Sequence, residues 1–371
     1  MKIDLVEIRR LSLPFKESFR SAVNEEIVKD VFLIEISSGE YVGYGESGTT
    51  NNAFYVEETN SSLEYVLENF LIDLLFKTEI HSPWDVSFAF GPIRRNYMAK
   101  ALVECAIWDL FAKYQRLPLW KVVGGVRDEI EVGISIGLQP NDDVLLEKVA
   151  SAIDEGYRRV KLKIKPGNDI EPLRRVRQSF PTVPLMVDAN CSYTLGDLEV
   201  LRQLDDFNLM MIEQPLSYND LFGHSLLAKE IDTPLCLDES ICSIEDLKVA
   251  LELDACSVVN LKVARVGGLS TSLAIEKMCR EGEVGLWCGG LYETGVGRAL
   301  NLAVGSLEGV NLPGDTSPSS RYFARDIIKE SLEFVAPGTI ALPKEHGLGV
   351  ELDKEYIDSR TLYSKVYENP R

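Results

Sequence analysis

From Val132 onward, short apolar runs alternate with amphipathic stretches. The runs predict strands near 132–136, 158–163, 184–188, 208–213, 234–238, 256–262, 284–289 and 309–312. Most are apolar on both faces, as parallel strands covered by helices are, while the run holding Lys161, Leu162 and Lys163 alternates. Eight strand-and-helix units of this kind predict a barrel closed on itself. A doubly wound open sheet uses the same units but splays their ends along one edge.

The first third follows another rhythm. Residues 1–13 alternate weakly between apolar and polar, and the runs at 31–36 and 41–44 flank Ser37-Ser38-Gly39-Glu40, which predicts a hairpin. Leu63, Val66, Leu67, Phe70, Leu71 and Leu74 recur at helical spacing and predict one apolar helix face. Residues 97–114 are apolar nearly all round, which predicts a helix buried between two layers and ended by Pro118. These elements make an α+β unit ahead of the barrel. Gly338-Thr339-Ile340-Ala341-Leu342-Pro343 and Gly347-Leu348-Gly349-Val350 predict strands and turns that return to it.

Charges sit where the barrel strands end. Asp188, Glu213, Asp238 and Lys262 close successive apolar runs at steps of 25, 25 and 24 residues, and Lys163 precedes Asp188 by 25. Since one strand and its return helix take this many residues, all five belong around one mouth. A strand end packed for stability alone needs no such charge. A single acid there is equally a helix N-cap, but three in register between two lysine sites are not explained that way.

Composition narrows the chemistry. A chain of 371 residues, 45% of them hydrophobic, has material for a large core. The amino terminus lacks a basic segment with an apolar stretch behind it, and no run of about 18 apolar residues occurs, so a cytoplasmic protein is expected. The net charge of −19 argues against nucleic acid and anionic membrane as partners. It also opposes a carboxylate ligand at long range, but salt screens that field within about 10 Å, so local lysines dominate at contact. The seven cysteines show no close Cys-x-x-Cys pairing, and Cys236, Cys256 and Cys288 read as reduced, buried thiols.

Three carboxylates without histidine or cysteine form an all-oxygen set suited to a hard divalent cation, magnesium before manganese. Only His81, His224 and His346 exist, and none ends a predicted strand. Lys161 and Lys163 share a strand face, so both point into the mouth if either does. Lys165 has the same parity but precedes Pro166-Gly167 and is expected in solvent. A neighbouring ammonium and a divalent cation both disfavour a protonated lysine, so this pairing suits a base. Lys262, four strands on, faces it across the mouth. This combination fits abstraction of the proton α to a carboxylate, with the enediolate stabilised by the cation and the ammonium groups.

Lys-Leu-Lys at 161–163, Val-Asp-Ala-Asn at 187–190, Ile-Glu-Gln-Pro at 212–215, Leu-Asp-Glu-Ser at 237–240 and Asn-Leu-Lys at 260–262 fall in the order of the enolase superfamily. The chain resembles its muconate-lactonizing subgroup over most of its length. Ile164-Lys165-Pro166-Gly167-Asn168-Asp169, Arg265-Val266-Gly267-Gly268, Trp287-Cys288-Gly289-Gly290 and Leu312-Pro313-Gly314-Asp315-Thr316-Ser317 look most like o-succinylbenzoate synthases, in the branch that also holds N-succinylamino acid racemases.

The resemblance implies an α/β fold, a modified TIM barrel (β/α)7β over residues 126–324, with an α+β capping domain of residues 1–125 completed by 325–371. It implies that Asp188, Glu213 and Asp238 hold magnesium, that Lys163 is the acid/base catalyst, that Lys262 faces it and that Lys161 assists. The synthase reaction is a syn dehydration to 2-succinylbenzoate for menaquinone synthesis. In the racemase, Lys163 and Lys262 exchange protons on opposite faces of an N-succinyl amino acid. Loops at 15–22 and 47–55 would close the site, with Phe19 and Tyr55 as apolar contacts and Arg20 for an anion. Ser135, Asn190, Gly289, Gly290, Leu291, Glu293, Asp315, Thr316 and Ser317 would line the rest around a small-molecule carboxylate substrate. A homo-oligomer is expected.

No histidine on 284–289 supplies a mandelate-racemase-like base, and Asp315-Thr316-Ser317 lacks the Asp-x-Asp typical of dipeptide epimerases. Muconate cycloisomerase stays open as an alternative, since the same lysines and metal would serve it. A non-catalytic binding barrel would have no use for a tuned base. Arg265, three residues past Lys262, is a feature of the branch holding both activities and does not choose between them.

Overall fold

The computed structural model describes residues 1–20 and 25–370. The cap begins with β1 (Leu5–Arg20), β2 (Glu25–Ser38) and β3 (Tyr41–Glu46), paired antiparallel. Ser38 opposes Tyr41, so Gly39-Glu40 is a two-residue turn, with Gly39 at φ 57° where a side chain would strain the backbone. Next come α1 (Asn60–Val66), a π-helical turn (Leu67–Leu71), α2 (Ile72–Lys77), α3 (Pro83–Ala89), α4 (Tyr97–Tyr114) and α5 (Leu119–Val122). The apolar face expected to run unbroken through Phe70 and Leu74 does not. The π turn inserts a residue and rotates the face, leaving Phe70 exposed and burying Ile72 and Leu75.

Helix α4 spans the predicted residues and is buried almost all round, including two acids. One of them, Glu104, accepts from the backbone N–H of Leu269 (2.8 Å) and Ser270 (2.9 Å) and from Trp108 Nε1 (2.8 Å). A cap residue thus satisfies free donors at the start of a barrel helix.

The barrel region opens with the short β4 (Glu129–Glu131) and then alternates: β5 (Ile134–Ile136), α6 (Asp142–Asp154), β6 (Val160–Lys163), α7 (Ile170–Ser179), β7 (Leu185–Asp188), α8 (Leu198–Gln203), β8 (Ile212–Glu213), α9 (Leu221–Leu227), β9 (Leu235–Leu237), α10 (Ile244–Glu252), β10 (Val258–Leu261), α11 (Leu269–Glu281), β11 (Gly285–Cys288) and α12 (Gly295–Gly305). Strands β5 to β11 form one parallel sheet in chain order.

The eighth predicted strand, 309–312, is not a regular strand. Pro313 removes a donor and Gly314 loosens the backbone, so the segment closes the barrel as an irregular stave. Leu312 N donates to Leu286 O (3.2 Å), Asp315 N to Cys288 O (2.9 Å), and Gly133 N to Gly314 O (2.7 Å) across the seam. The chain ends with β12 (Phe334–Ala336), β13 (Thr339–Ala341), α13 (Lys354–Arg360) and β14 (Thr361–Glu368). Strand β13 pairs with β4 and β12, while β14 returns to the cap beside β1. All seven cysteines are free thiols, four of them buried. Among the described residues no helix is long and apolar enough to cross a membrane.

Candidate active site

Strands β6, β7 and β8 end on Lys163, Asp188 and Glu213, and Asp238 and Lys262 directly follow β9 and β10. Lys163 stands opposite Asp188, and Asp188 opposite Glu213, in the parallel register. The repeating interval therefore does bring the five charges together at one end of the sheet. Lys161 points the same way as Lys163, as side chains two apart on a strand must, since both reach Asp188. Lys165 has left the strand and is half-buried rather than free in solvent, its backbone bridged to Asn168.

Every oxygen of the three acids is engaged. Asp188 Oδ2 meets Lys163 Nζ at 2.5 Å and Lys161 Nζ at 3.5 Å, while Oδ1 accepts from Asn190 N at 3.0 Å. Glu213 Oε2 meets Lys161 Nζ at 3.0 Å, and Oε1 accepts from Asn260 Nδ2 at 2.7 Å. Asp238 Oδ2 meets Lys262 Nζ at 2.9 Å and accepts from Tyr55 OH at 2.9 Å, and its Oδ1 pairs with Arg265. Lys163 also donates to Asn190 Oδ1 at 2.6 Å, and Asn190 Nδ2 reaches Glu239 Oε1 at 3.0 Å.

The energetics follow from burial. Desolvation, then the charge of Asp188, pushes Glu213 up to about 8, and desolvation followed by Asp238 pushes Glu239 up to about 7. Burial acts on Asp238 too, but Arg265 and Lys262 outweigh it and hold that acid well below the usual carboxylate range. Among the described residues no group of three acids is drawn together into a closed metal cluster, and the acids' oxygens face Lys161, Lys163, Lys262 and Arg265. The donor set nevertheless fits a hard divalent ion: three buried carboxylates on adjacent strand ends, with a further buried oxygen, Glu239 Oε2, lacking any partner.

Other expected residues divide. Ser135 opposes Lys161 across β5 and β6 and shares its inward face, with its carbonyl accepting from Arg321 at 2.8 Å. Tyr55, expected as an apolar contact, turns its hydroxyl onto Asp238 and Lys262. Leu291 packs into the cap's apolar cluster, its carbonyl held by Lys29 Nζ at 2.7 Å, and Glu293 folds back onto Leu291 N at 2.7 Å. Ser317 is buried, its hydroxyl toward Gly133 O at 3.5 Å, and the Thr316 hydroxyl is buried without a partner. Gly290 lies beside Glu293 and the Asp315 carbonyl. The side chains of Phe19 and Arg20, and residues 21–24, lie outside the described residues.

Sequence reasoning missed Lys29, Glu46, Arg159, Glu239, Asn260 and Trp287. Two of them were within reach by parity, since Arg159 precedes Lys161 by two residues and Asn260 precedes Lys262 by two. Glu46 is a buried cap acid that accepts from Thr294 N (2.9 Å) and Gly297 N (2.8 Å), and so seats the start of α12. Gly289 is required by close approach. A Cβ there would lie 2.0 Å from Asn260 Oδ1 and drive that amide off Glu213. Gly289→Ala is expected to destabilise the fold by roughly 1–3 kcal/mol in urea unfolding and to lower turnover in parallel.

An incomplete-looking parallel barrel with an antiparallel cap and acids and lysines on successive strand ends defines an enolase-type enzyme. The sequence matches the family described as "Mandelate racemase / muconate lactonizing enzyme, N-terminal domain" over residues 3–124 and the one described as "Enolase C-terminal domain-like" over residues 144–356. The chain belongs to this family of the enolase superfamily. It is 44% identical to the o-succinylbenzoate synthase of Geobacillus kaustophilus over 368 residues, covering 99% of this chain and 98% of that one. It is 40% identical to the N-succinylamino acid racemase of Thermus thermophilus over 365 residues, covering 98% and 99%. The solved structure of an enolase superfamily member from Listeria innocua superposes with a TM-score of 0.97 at 39% identity, covering both chains fully.

Proposed function

We propose that the chain is an o-succinylbenzoate synthase, dehydrating 2-succinyl-6-hydroxy-2,4-cyclohexadiene-1-carboxylate to 2-succinylbenzoate for menaquinone synthesis. The observation that carries this reading is the placement of Lys163 and Lys262 at strand ends four staves apart, each ion-paired to an acid of one carboxylate row. A binding barrel gains nothing from ammonium groups at both ends of such a row.

Asp188, Glu213 and Asp238 would hold one magnesium ion, with manganese as a substitute. When bound, the ion supplies positive charge against the enediolate. Lys163, as the neutral amine, takes the proton α to the carboxylate. The same nitrogen, now an ammonium, protonates the departing hydroxyl on the same face, which makes the elimination syn. Lys161 brings a buried positive charge toward the substrate carboxylate, and Lys262 holds one on the opposite face. Asn190 orients Lys163 through its side-chain oxygen. Ser135, Gly289, Gly290, Leu291, Glu293, Thr316, Ser317, Phe19 and Tyr55 complete the proposed substrate pocket. In it Leu291 contributes backbone, and Tyr55 a hydroxyl beside Lys262, whose ammonium has a third N–H for substrate.

A racemase reading is favoured by one feature, that Lys262 could return a proton to the face opposite Lys163. Rates measured side by side on the cyclohexadiene and on an N-succinyl amino acid decide between them. We expect a higher kcat/KM on the cyclohexadiene, and the reverse order would assign the chain as a racemase.

The division into a cap of residues 1–125 and 325–371 and a barrel of 126–324 belongs to the same proposal. The pairing of β14 with β1 supports it, while the pairing of β13 with β4 ties the two parts together. Cytoplasmic residence and a homo-oligomer are also part of this reading. Phe88 and Phe222 are exposed apolar surface that a second copy would cover.

A further inference from the structure

Beneath the mouth, Lys161 is joined by two charges to which the proposed reaction gives no role, Arg159 and Asp315. Arg159 is fully buried, its guanidinium 4.6 Å from the centre of the Trp287 ring, and the Lys161 ammonium lies 4.7 Å from the same ring. Asp315, on the irregular eighth stave, pairs with Arg159 through one oxygen and with Lys161 through the other at 2.6 Å. Lys161 is therefore shared among three acids: Asp315 at 2.6 Å, Glu213 at 3.0 Å and Asp188 at 3.5 Å. Its shortest contact is to the one acid outside the proposed metal set.

We infer that Asp315, held by Arg159, is a positioning residue that retains Lys161 at the barrel seam and so leaves Glu213 and Asp188 available to a divalent cation. The inference rests on the metal reading above. An ammonium and a dication compete for the same carboxylate oxygens, and a buried ammonium gives up two acids only if a third remains. Asp315 is that third acid. Its place is fixed by its backbone N–H on Cys288 O at 2.9 Å and by the guanidinium. The space for Arg159 is itself reserved, since a Cβ on Gly133 would lie 2.5 Å from its Nε. The metal set is thus supported from the stave farthest from it in sequence.

The test is a double-mutant cycle read by magnesium affinity, measured calorimetrically without substrate on the wild-type chain, Asp315→Asn, Lys161→Met and the pair. Asp315→Asn should weaken magnesium binding about tenfold or more, as loss of an outer-shell partner does. In the Lys161→Met background the same change should cost less than about threefold, because no ammonium remains to fall onto Glu213. Equal losses in both backgrounds would make Asp315 a distant charge only and overturn the inference. So would wild-type affinity in Asp315→Asn. Should Asp315→Asn fail to fold because Arg159 is left unpaired, Asp315→Asn with Arg159→Met removes both charges and takes its place in the cycle with the same expected losses. Magnesium binding by the wild-type chain that these changes leave untouched sinks this inference alone. No binding by the wild-type chain sinks it together with the metal reading.

Discussion

Lys163→Ala will slow exchange of a substrate's α-proton with deuterated solvent by roughly 10²- to 10⁴-fold, followed by proton NMR in the presence of magnesium. The effect should be confined to chemistry. Asp188 keeps Lys161 at 3.5 Å and the Asn190 N–H at 3.0 Å after the change, so no buried carboxylate is stranded. The Lys163 side chain is as buried as that of Lys262, but its loss also removes a desolvated ammonium, and the Asn190 oxygen it leaves can turn toward the open end of β6. The unfolding midpoint is therefore expected near that of the wild-type chain. Exchange at the wild-type rate in this variant would remove Lys163 from proton transfer.

Asp238→Asn should cost stability as well as turnover, by about 3–5 kcal/mol, because it strips a buried carboxylate from two buried cations. Lys262 loses its only acid partner among the described ion pairs, and Arg265 loses its counter-charge while keeping the carbonyls of Ile241 (3.0 Å) and Asn260 (2.7 Å). Hydrogen bonds survive there; neutrality does not. Burial raises the Asp238 pKa and the two cations lower it further, so the folded value lies below the unfolded one. The stability it contributes is thus complete above about pH 4 and fades only as acid protonates the folded carboxylate. Urea unfolding near neutral pH checks the loss, and a midpoint equal to the wild type would show that Lys262 and Arg265 do not depend on this acid.

How much of this was legible in the chain depends on what surrounds each residue. The five charged strand ends are legible because a parallel strand buried on both faces is an apolar run, so a charge closing it stands out. Helix α4 is legible for the same reason. The eighth stave is not, since Pro313 and Gly314 prevent a regular ladder and its closure depends on backbone bonds that any side chains permit. The roles of Glu46 and Glu104, and the pairing of Asp315, expected only to line the pocket, are not legible, because donors to each arrive from elements between 156 and 248 residues away. The π turn at Leu67–Leu71 is likewise invisible, as the extra residue fits the same apolar composition in a shifted frame. Tyr55 was found by position but misjudged in role, because its ring suggested packing and its hydroxyl decides where it goes.

The cap sheet has the order β14-β1-β2-β3, with Leu5 lying opposite Glu368. On a ribosome, which releases the chain from the amino end, β1 and β2 can zip together early, but the outer rim of β1 stays bare until residues beyond Thr361 have emerged. The barrel has all its staves before that happens. A nascent chain stalled short of Thr361 would carry the whole row of charged strand ends and an unprotected strand edge, the kind of edge that recruits chaperones or other copies of itself.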